Sequence, residues 1–314
     1  MRIIDLETIN QAMNNETQFV LRCEEVFHDK VSSAAAAVLS AGRERRIVAL
    51  TGPSGSGKTT TAKKIEAKLE EMGIRSHAIA MDNYFQTVDP ETAPRNREGQ
   101  IDYESPFCLD MDLLNRHFKM LDRGEKIHIP KFEFARQMRS AIKSHPLQLG
   151  KDEIAIFEGI HALNDIITGK NPDAMKVYIS ARSNVLDEEG KVAFKGTWMR
   201  LARRTVRDAK FRSWEPDVTI RMWANVRRGE KLYISPFKDN ANIQFDSSLP
   251  YEVSVVKAFA QPLFERLHLS EDMERYEEIG HLLEAYPKFE TLDEKYIAAD
   301  SLIREFIGGG IYDD

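Results

Sequence analysis

The chain has 314 residues, 42% hydrophobic and 30% charged, with a formal net charge of −6. That is ample for one large α/β core, and the acidic balance argues against a nucleic-acid partner. Cys23 and Cys108 have no metal-ligand spacing and make no disulfide framework, and no window reaches the ~18 apolar residues of a membrane span, so the expectation is a cytoplasmic protein without a membrane partner.

Residues 1–46 read as an N-terminal helical arm, in which Phe19, Val20, Cys23, Phe27, Val31 and Val38 form a loose helical stripe. The run "SSAAAAVLSA" (32–41) resembles a short secretion-signal core. It starts too far from the N-terminus, and the charge before it is mixed, so it reads as the end of a packed helix.

The stretch "IVALTGPSGSGKTT" (47–60) carries the first chemistry. The apolar run Ile47–Leu50 predicts a buried strand. Gly52 to Thr59 then match G-x-x-x-x-G-K-[ST], and Ala62, Ile65, Leu69 and Met72 recur at helical spacing up to Gly73. Strand, glycine loop and helix form the setting in which backbone N–H groups from Gly52, Ser54, Gly55, Ser56, Gly57 and Thr60 can surround phosphate oxygens. Lys58 supplies a mobile cation for the outer phosphates, and Thr59 a hydroxyl for Mg²⁺. The cofactors expected are ATP and Mg²⁺.

Further strands are predicted at 77–81, 154–157, 176–180 and 241–245, alternating with helical signals as in a parallel sheet flanked by helices. Residues 83–150 are polar and proline-rich, too long for a simple connection, and read as a substrate-side insertion. Asp82 follows the second strand and Glu158 the third. Ligands of open parallel sheets sit beyond the carboxyl ends of the strands, so both acids are expected beside the glycine loop. One can help to hold Mg²⁺ while the other accepts a proton from an attacking hydroxyl. His161 reads as a hydrogen-bonded structural residue.

Residues 197–235 read as a helical lid. In "RLARRTVRDAKFR" (200–212), Arg200, Arg203, Arg204 and Arg207 fall on one side of a helix, with Leu201, Ala202, Thr205, Val206 and Ala209 opposite. Only Asp208 offers local compensation, so the face is expected to meet an anion. Trp198, Trp214 and Trp223 read as packing residues. The P-loop domain spans 47–250, and 251–314 forms a C-terminal helical appendage, either packed or an oligomer surface.

Together "GPSGSGKTT", "MDNYF", "DYESPFCLD", "IPKFEF", "IFEGIHALN" and "RRTVRD" resemble the uridine kinase/phosphoribulokinase superfamily over residues 45–250. "VRRGEKLYISPFKDNANIQFDSSLPYE" and "LIREFIGG" extend the likeness to the kinase half of bacterial proteins that carry threonyl-tRNA-synthetase-like modules before a uridine kinase-like domain; those modules are absent here. The resemblance implies a P-loop NTPase fold with an Arg-rich lid. It implies Asp82 as base, Thr59, Asp82 and Glu158 near Mg²⁺, and Arg204, Arg207 and Arg212 as phosphate- and substrate-contacting arginines. It further implies Glu104 in place of an aspartate that binds ribose hydroxyls, with Tyr84 and Phe132 near the acceptor. Gln137 stands where uridine kinases have a histidine, and Arg212-Ser213-Trp214 where they have Arg-Gly-Arg. The phosphate-handling parts are thus kept, while the base-reading parts differ. The reading is an ATP-dependent kinase acting on a hydroxyl, foremost the 5′-hydroxyl of a ribonucleoside. The alternatives are a kinase of another sugar or sugar phosphate, and an ATP-dependent switch.

Overall fold

All five segments expected as strands form strands, side by side in one parallel sheet. Across it the order is Ile243–Asp246, Met175–Ser180, Ile47–Thr51, Glu153–Glu158 and Arg75–Ala80, which places the strand before the glycine loop at the centre. The structure is a computed structural model and describes residues 4–41, 45–133, 136–142, 146–267 and 273–312. A central parallel strand is covered on both faces, and every residue of Ile47–Thr51 is buried.

Side chains alternate across that strand. Val48 and Leu50 join Val177, Ile179 and Phe245 in a core covered by helices Glu16–Ser40, Lys58–Glu71, Gly196–Arg212 and Glu252–Glu265. Ile47 and Ala49 face the other way, with Ala155 and Phe157, toward helix Met111–Asp122. In Glu16–Ser40 the stripe Val20, Cys23, Phe27, Val31 and Val38 is buried as the spacing predicts, and Asn15 caps the helix by accepting from the Gln18 amide at 3.2 Å. Phe27 meets Phe245 edge-on, with ring centroids 5.4 Å apart. Burying one such side chain stabilises by about 1.5–3 kcal/mol. The N-terminal arm therefore shares the core of the sheet, and so do Val255, Phe264 and Phe306 from the C-terminal segment.

Residues 83–150 contain more regular structure than their proline content indicates. Helix Met111–Asp122 is capped by Asp110, which accepts from the Leu113 amide at 3.0 Å, and it buries Leu114, Phe118 and Leu121. Two short antiparallel ladders follow, Ile127–His128 with Pro146–Leu147 and Phe132–Glu133 with Met138–Arg139. A third small sheet joins Ile4–Asp5, Val185–Leu186 and Val192–Phe194. Its strands have two or three residues, too few to show a period of two in sequence.

Register sets up the site. Leu50 and Ala80 both pair with Glu158, so the three strands end level with one another. The glycine loop, Glu158 and Asp82 leave the sheet at that one edge. Both cysteines are buried thiols outside any disulfide, and among the described residues no helix is long and apolar enough to cross a membrane.

Candidate active site

The glycine loop is held from outside. Arg200 Nη1 donates to the Ser54 carbonyl at 3.2 Å, Arg203 Nη1 to that of Gly55 at 3.1 Å, and Ser247 Oγ to that of Ser56 at 2.6 Å. Peptide planarity turns the N–H groups of Gly55 and Gly57, which follow two of these carbonyls, to the opposite side, while the Ser56 N–H donates to the Pro53 carbonyl at 3.2 Å. Gly55 and Gly57 take φ of +73° and +77°, values that favour glycine. A Cβ on Gly55 would also lie 2.6 Å from the Arg200 carbonyl oxygen. Beyond Gly57 the helix Lys58–Glu71 begins, and the first-turn amides of Lys58 and Thr59 have no intrahelical partner. The result is a nest of N–H groups at a helix N-terminus, which favours an anion. Lys58 Nζ rests only loosely on it, 3.4 Å from the Pro53 carbonyl.

The two strand-end acids share this edge. Thr51 Oγ1 donates to the carbonyls of Gly159 and Ile160 at 2.8 and 2.7 Å, tying the loop's strand to the turn after Glu158. Burial pushes the Glu158 pKa up to about 7, against the pull of Lys58 and with the help of the Asp82 and Glu305 charges. Its carboxylate accepts no hydrogen bond from a described residue, so its ionised form is compensated only in part, by the Lys58 charge. Asp82 opens to the cleft, but protein surrounds its other sides. That loss of water raises its pKa above the usual carboxylate range, opposed first by Lys58 and then by Arg212.

The arginine face divides in two. Arg200 and Arg203 are buried, and beyond the local Asp208 they find distant partners in Glu230 and Glu252. Arg200 Nη2 lies 2.9 Å from Glu230 Oε2, and Arg203 Nη2 lies 2.7 Å from Glu252 Oε2, with Arg203 Nε bonded to the other oxygen of that carboxylate. These two arginines shape the loop. Arg204, Arg207 and Arg212 gather instead on the fully buried Asp208, at 3.3, 2.9 and 3.2 Å. Three guanidiniums on one carboxylate leave excess positive charge. Arg204 also donates to Ser54 Oγ at 2.9 Å, which puts it at the loop.

On the far side of the cleft, Asp102 and Glu104 have different roles. Asp102 is engaged by Arg228 at 2.6 Å and by the Tyr233 hydroxyl at 3.0 Å. Burial would raise its pKa, but these bonds outweigh it and hold the carboxyl below its usual range. Glu104 has no such side-chain partner among the described residues: burial raises its pKa, and the charge drawing it down most is Arg204. Gly229 makes room for it, since a Cβ there would lie 2.5 Å from Glu104 Cβ.

A family profile, that of the phosphoribulokinase / uridine kinase family, matches residues 47–254. The chain belongs to this family. Uridine kinases of Staphylococcus aureus are 28% identical over 198 residues, which cover 63% of this chain and 85% of theirs. Among solved structures, a candidate fructose transport system kinase from Silicibacter sp. TM1040 superposes with a TM-score of 0.51 at 20% identity, covering 68% of this chain and 98% of that one. That likeness concerns the fold, a P-loop α/β fold with a parallel sheet flanked by helices. Family membership makes the protein a kinase, and so a phosphotransferase.

Within this family member the structure brings together Lys58, Thr59, Asp82, Glu104, Glu158, Arg204 and Arg212 around one cleft. Phe132 is buried beside them: its ring lies 5.6 Å from that of Phe85 and its amide donates to Asn83 Oδ1 at 3.5 Å. Tyr84 is a correction. Its side chain is fully buried, its hydroxyl is 2.8 Å from His117 Nδ1 and its ring packs toward Phe157, so it supports the core and does not contact an acceptor. Gln137 sits in the exposed turn of the Phe132–Arg139 ladder with φ +52°. His161 is buried and neutral, its pKa pushed down by burial to about 4. The backbone of Glu104 and Tyr233 beside its ring pulls the pKa partly back up, in keeping with a structural histidine. Trp198 and Trp223 pack in the core, and Trp214 is half-buried with Arg212 over its ring at 5.5 Å.

Glu230 and Glu252 escaped the sequence reading for a plain reason. They meet their arginines across 30 and 49 residues, beyond any helical spacing. Glu305 was missed on the same ground: its Oε2 accepts from the Thr60 amide at 3.1 Å across 245 residues.

Proposed function

We propose that the protein transfers the γ-phosphoryl group of ATP to a hydroxyl of a small acceptor, and that this acceptor is the 5′-hydroxyl of a ribonucleoside. The observation that carries this reading is Asp82. It is a carboxylate open to the cleft, at the same sheet edge as the amide-lined loop, with the charges of Lys58 and Arg212 acting on it. The two cations favour its ionised form, the form that can accept a proton. Asp82 takes the proton of the acceptor hydroxyl as that oxygen bonds to the γ-phosphorus and the bond to ADP breaks. Lys58, Arg204, Arg207 and Arg212 stabilise the charge on the transferring group. A switch that only hydrolyses or senses ATP has little use for such a base facing an acceptor pocket.

Mg²⁺ fits the donors present. Thr59 and Glu158, with Asp82 near them, carry hard oxygen donors, and the charge of Glu158 is only partly compensated by Lys58. Such an ion is commonly held by one or two carboxylates together with substrate phosphates, and it neutralises phosphate charge when bound. Thr59 and Glu158 would hold it, which leaves Asp82 free to act as base.

Glu104 supports the ribose. A half-buried carboxylate can accept from two vicinal hydroxyls, and leaving it unpaired costs roughly 1–3 kcal/mol. A second reading, a kinase of a sugar phosphate, is favoured by the excess positive charge around Asp208, which could serve a phosphate on the acceptor. The experiment is kcat/KM for matched ribo- and deoxyribonucleosides and for sugars and sugar phosphates, in wild type and Glu104→Ala. A tenfold to hundredfold preference for ribose, lost in Glu104→Ala, is expected. Equal values in wild type remove the ribose reading, and activity on sugar phosphates alone promotes the second.

A further inference from the structure

The C-terminal segment is docked on the phosphate-binding loop. Leu302, Ile303, Phe306 and Ile307 are fully buried. Leu302 packs so closely on Gly57 that a Cβ there would lie 2.5 Å from it. The Phe306 ring sits 5.0 Å from the guanidinium of Arg203, the arginine that holds the Gly55 carbonyl. Two lysines of the phosphate-binding helix fix the flanks: Lys64 Nζ lies 2.8 Å from Asp300, and Lys63 Nζ donates to the Tyr312 carbonyl at 2.8 Å.

From this anchored segment Glu305 reaches back to the loop. Its carboxylate takes the Thr60 amide, in the first turn of Lys58–Glu71, and its charge acts on Glu158. Unlike its neighbours Leu302 and Phe306, Glu305 is only half-buried, so its side chain can leave without unpacking the segment. A helix N-terminus favours an anion, and here the chain supplies one of its own. Thr60 N–H points to one acceptor at a time. A phosphate oxygen and the Glu305 carboxylate also repel each other at that range.

We propose that Glu305 is a residue of the nucleotide site: an internal anion that holds the first turn of the phosphate-binding helix and that a phosphate of the incoming nucleotide must displace. This rests on the reading of the loop as a nucleotide site. The C-terminal segment thereby sets how tightly nucleotide is held, and not only how stable the fold is.

Calorimetric titration of the full chain with ADP and with adenosine, for wild type, Glu305→Gln, Glu305→Ala and Lys58→Ala, tests it. Glutamine keeps the shape and an acceptor oxygen but removes the charge. Glu305→Gln and Glu305→Ala are expected to bind ADP about tenfold more tightly than wild type, the scale of one charge-assisted contact, while adenosine binds all the proteins alike. A purely structural Glu305 would instead leave ADP affinity unchanged or lower it, and either result overturns the proposal. An equal gain for adenosine also overturns it, because the effect would then not lie with phosphate. If wild type binds ADP no better than Lys58→Ala, the nucleotide reading falls and takes this inference with it. If wild type binds ADP better than Lys58→Ala and Glu305→Gln adds nothing, this inference alone falls.

Discussion

From Ser54 to Ser56 each carbonyl of the phosphate loop is held by a side chain from outside, and two of those side chains are buried arginines locked by carboxylates. Across the cleft Glu104 and Asp82 stand without such clamps, on turns that follow or interrupt regular structure. The difference has a physical cause. Phosphate is the same in every nucleotide, so its site can be rigid and built from backbone. The acceptor side must suit one particular molecule, and its chemistry sits on a few side chains in loops.

That contrast can be broken at several points. The largest effect is expected from Lys58→Ala, which should bring phosphoryl transfer below detection, a loss of at least about 10³-fold. The fold should survive, because among the described residues Lys58 makes only a long hydrogen bond, to Pro53. A coupled ADP-release assay and a thermal melt check both halves.

Asp82→Asn should slow transfer by about 10²–10⁴-fold while ATP affinity stays near wild type. Single-turnover rates and a nucleotide titration separate the two. If affinity for Mg²⁺ and ATP drops and the saturated rate does not, Asp82 is a metal ligand, and the acceptor side loses its base.

Arg203→Ala probes the rigid side without touching the reacting atoms. It leaves Glu252 buried and unpaired, which should destabilise the fold by about 3–5 kcal/mol in urea denaturation. The same substitution at the exposed Arg221 should cost little, since its pair with Asp217 is a surface one.

The smallest expected effect concerns pH. Folding raises the Glu158 pKa from 4.5 to about 7. Its contribution is thus fully present below pH 4.5 and is lost as pH rises through about 7. Glu158→Gln, which cannot ionise, should therefore melt higher than wild type at pH 8 and close to it near pH 4.5 when no nucleotide is present. Equal melting points at both pH values would show that the carboxylate is well solvated.

Much of this was legible before any coordinates. The apolar run 47–50, the glycine spacing and the 3.6-residue pattern after Lys58 are local signals, and local signals survive folding. They specified the five strands, the phosphate loop and the acids that end two of the strands. Helix Met111–Asp122 is masked in sequence by the loop-forming prolines around it, although Asp110 and the spacing of Leu114, Phe118 and Leu121 mark it. The resemblance sets Tyr84 near the acceptor, but a motif does not say which way a side chain turns, and here it turns into the core.

Composition and pattern alone determined a parallel α/β fold with a phosphate-binding loop, and which residue types could act there. Tertiary structure decided which charges are free to act. Arg200, Arg203 and Asp102 carry the same charges in sequence as Arg204 and Glu104, yet they are neutralised by partners 30, 49 and 126 residues away. No periodicity in a chain encodes such pairs. They arise when the sheet order sets distant segments side by side, and once buried a charge must find its opposite.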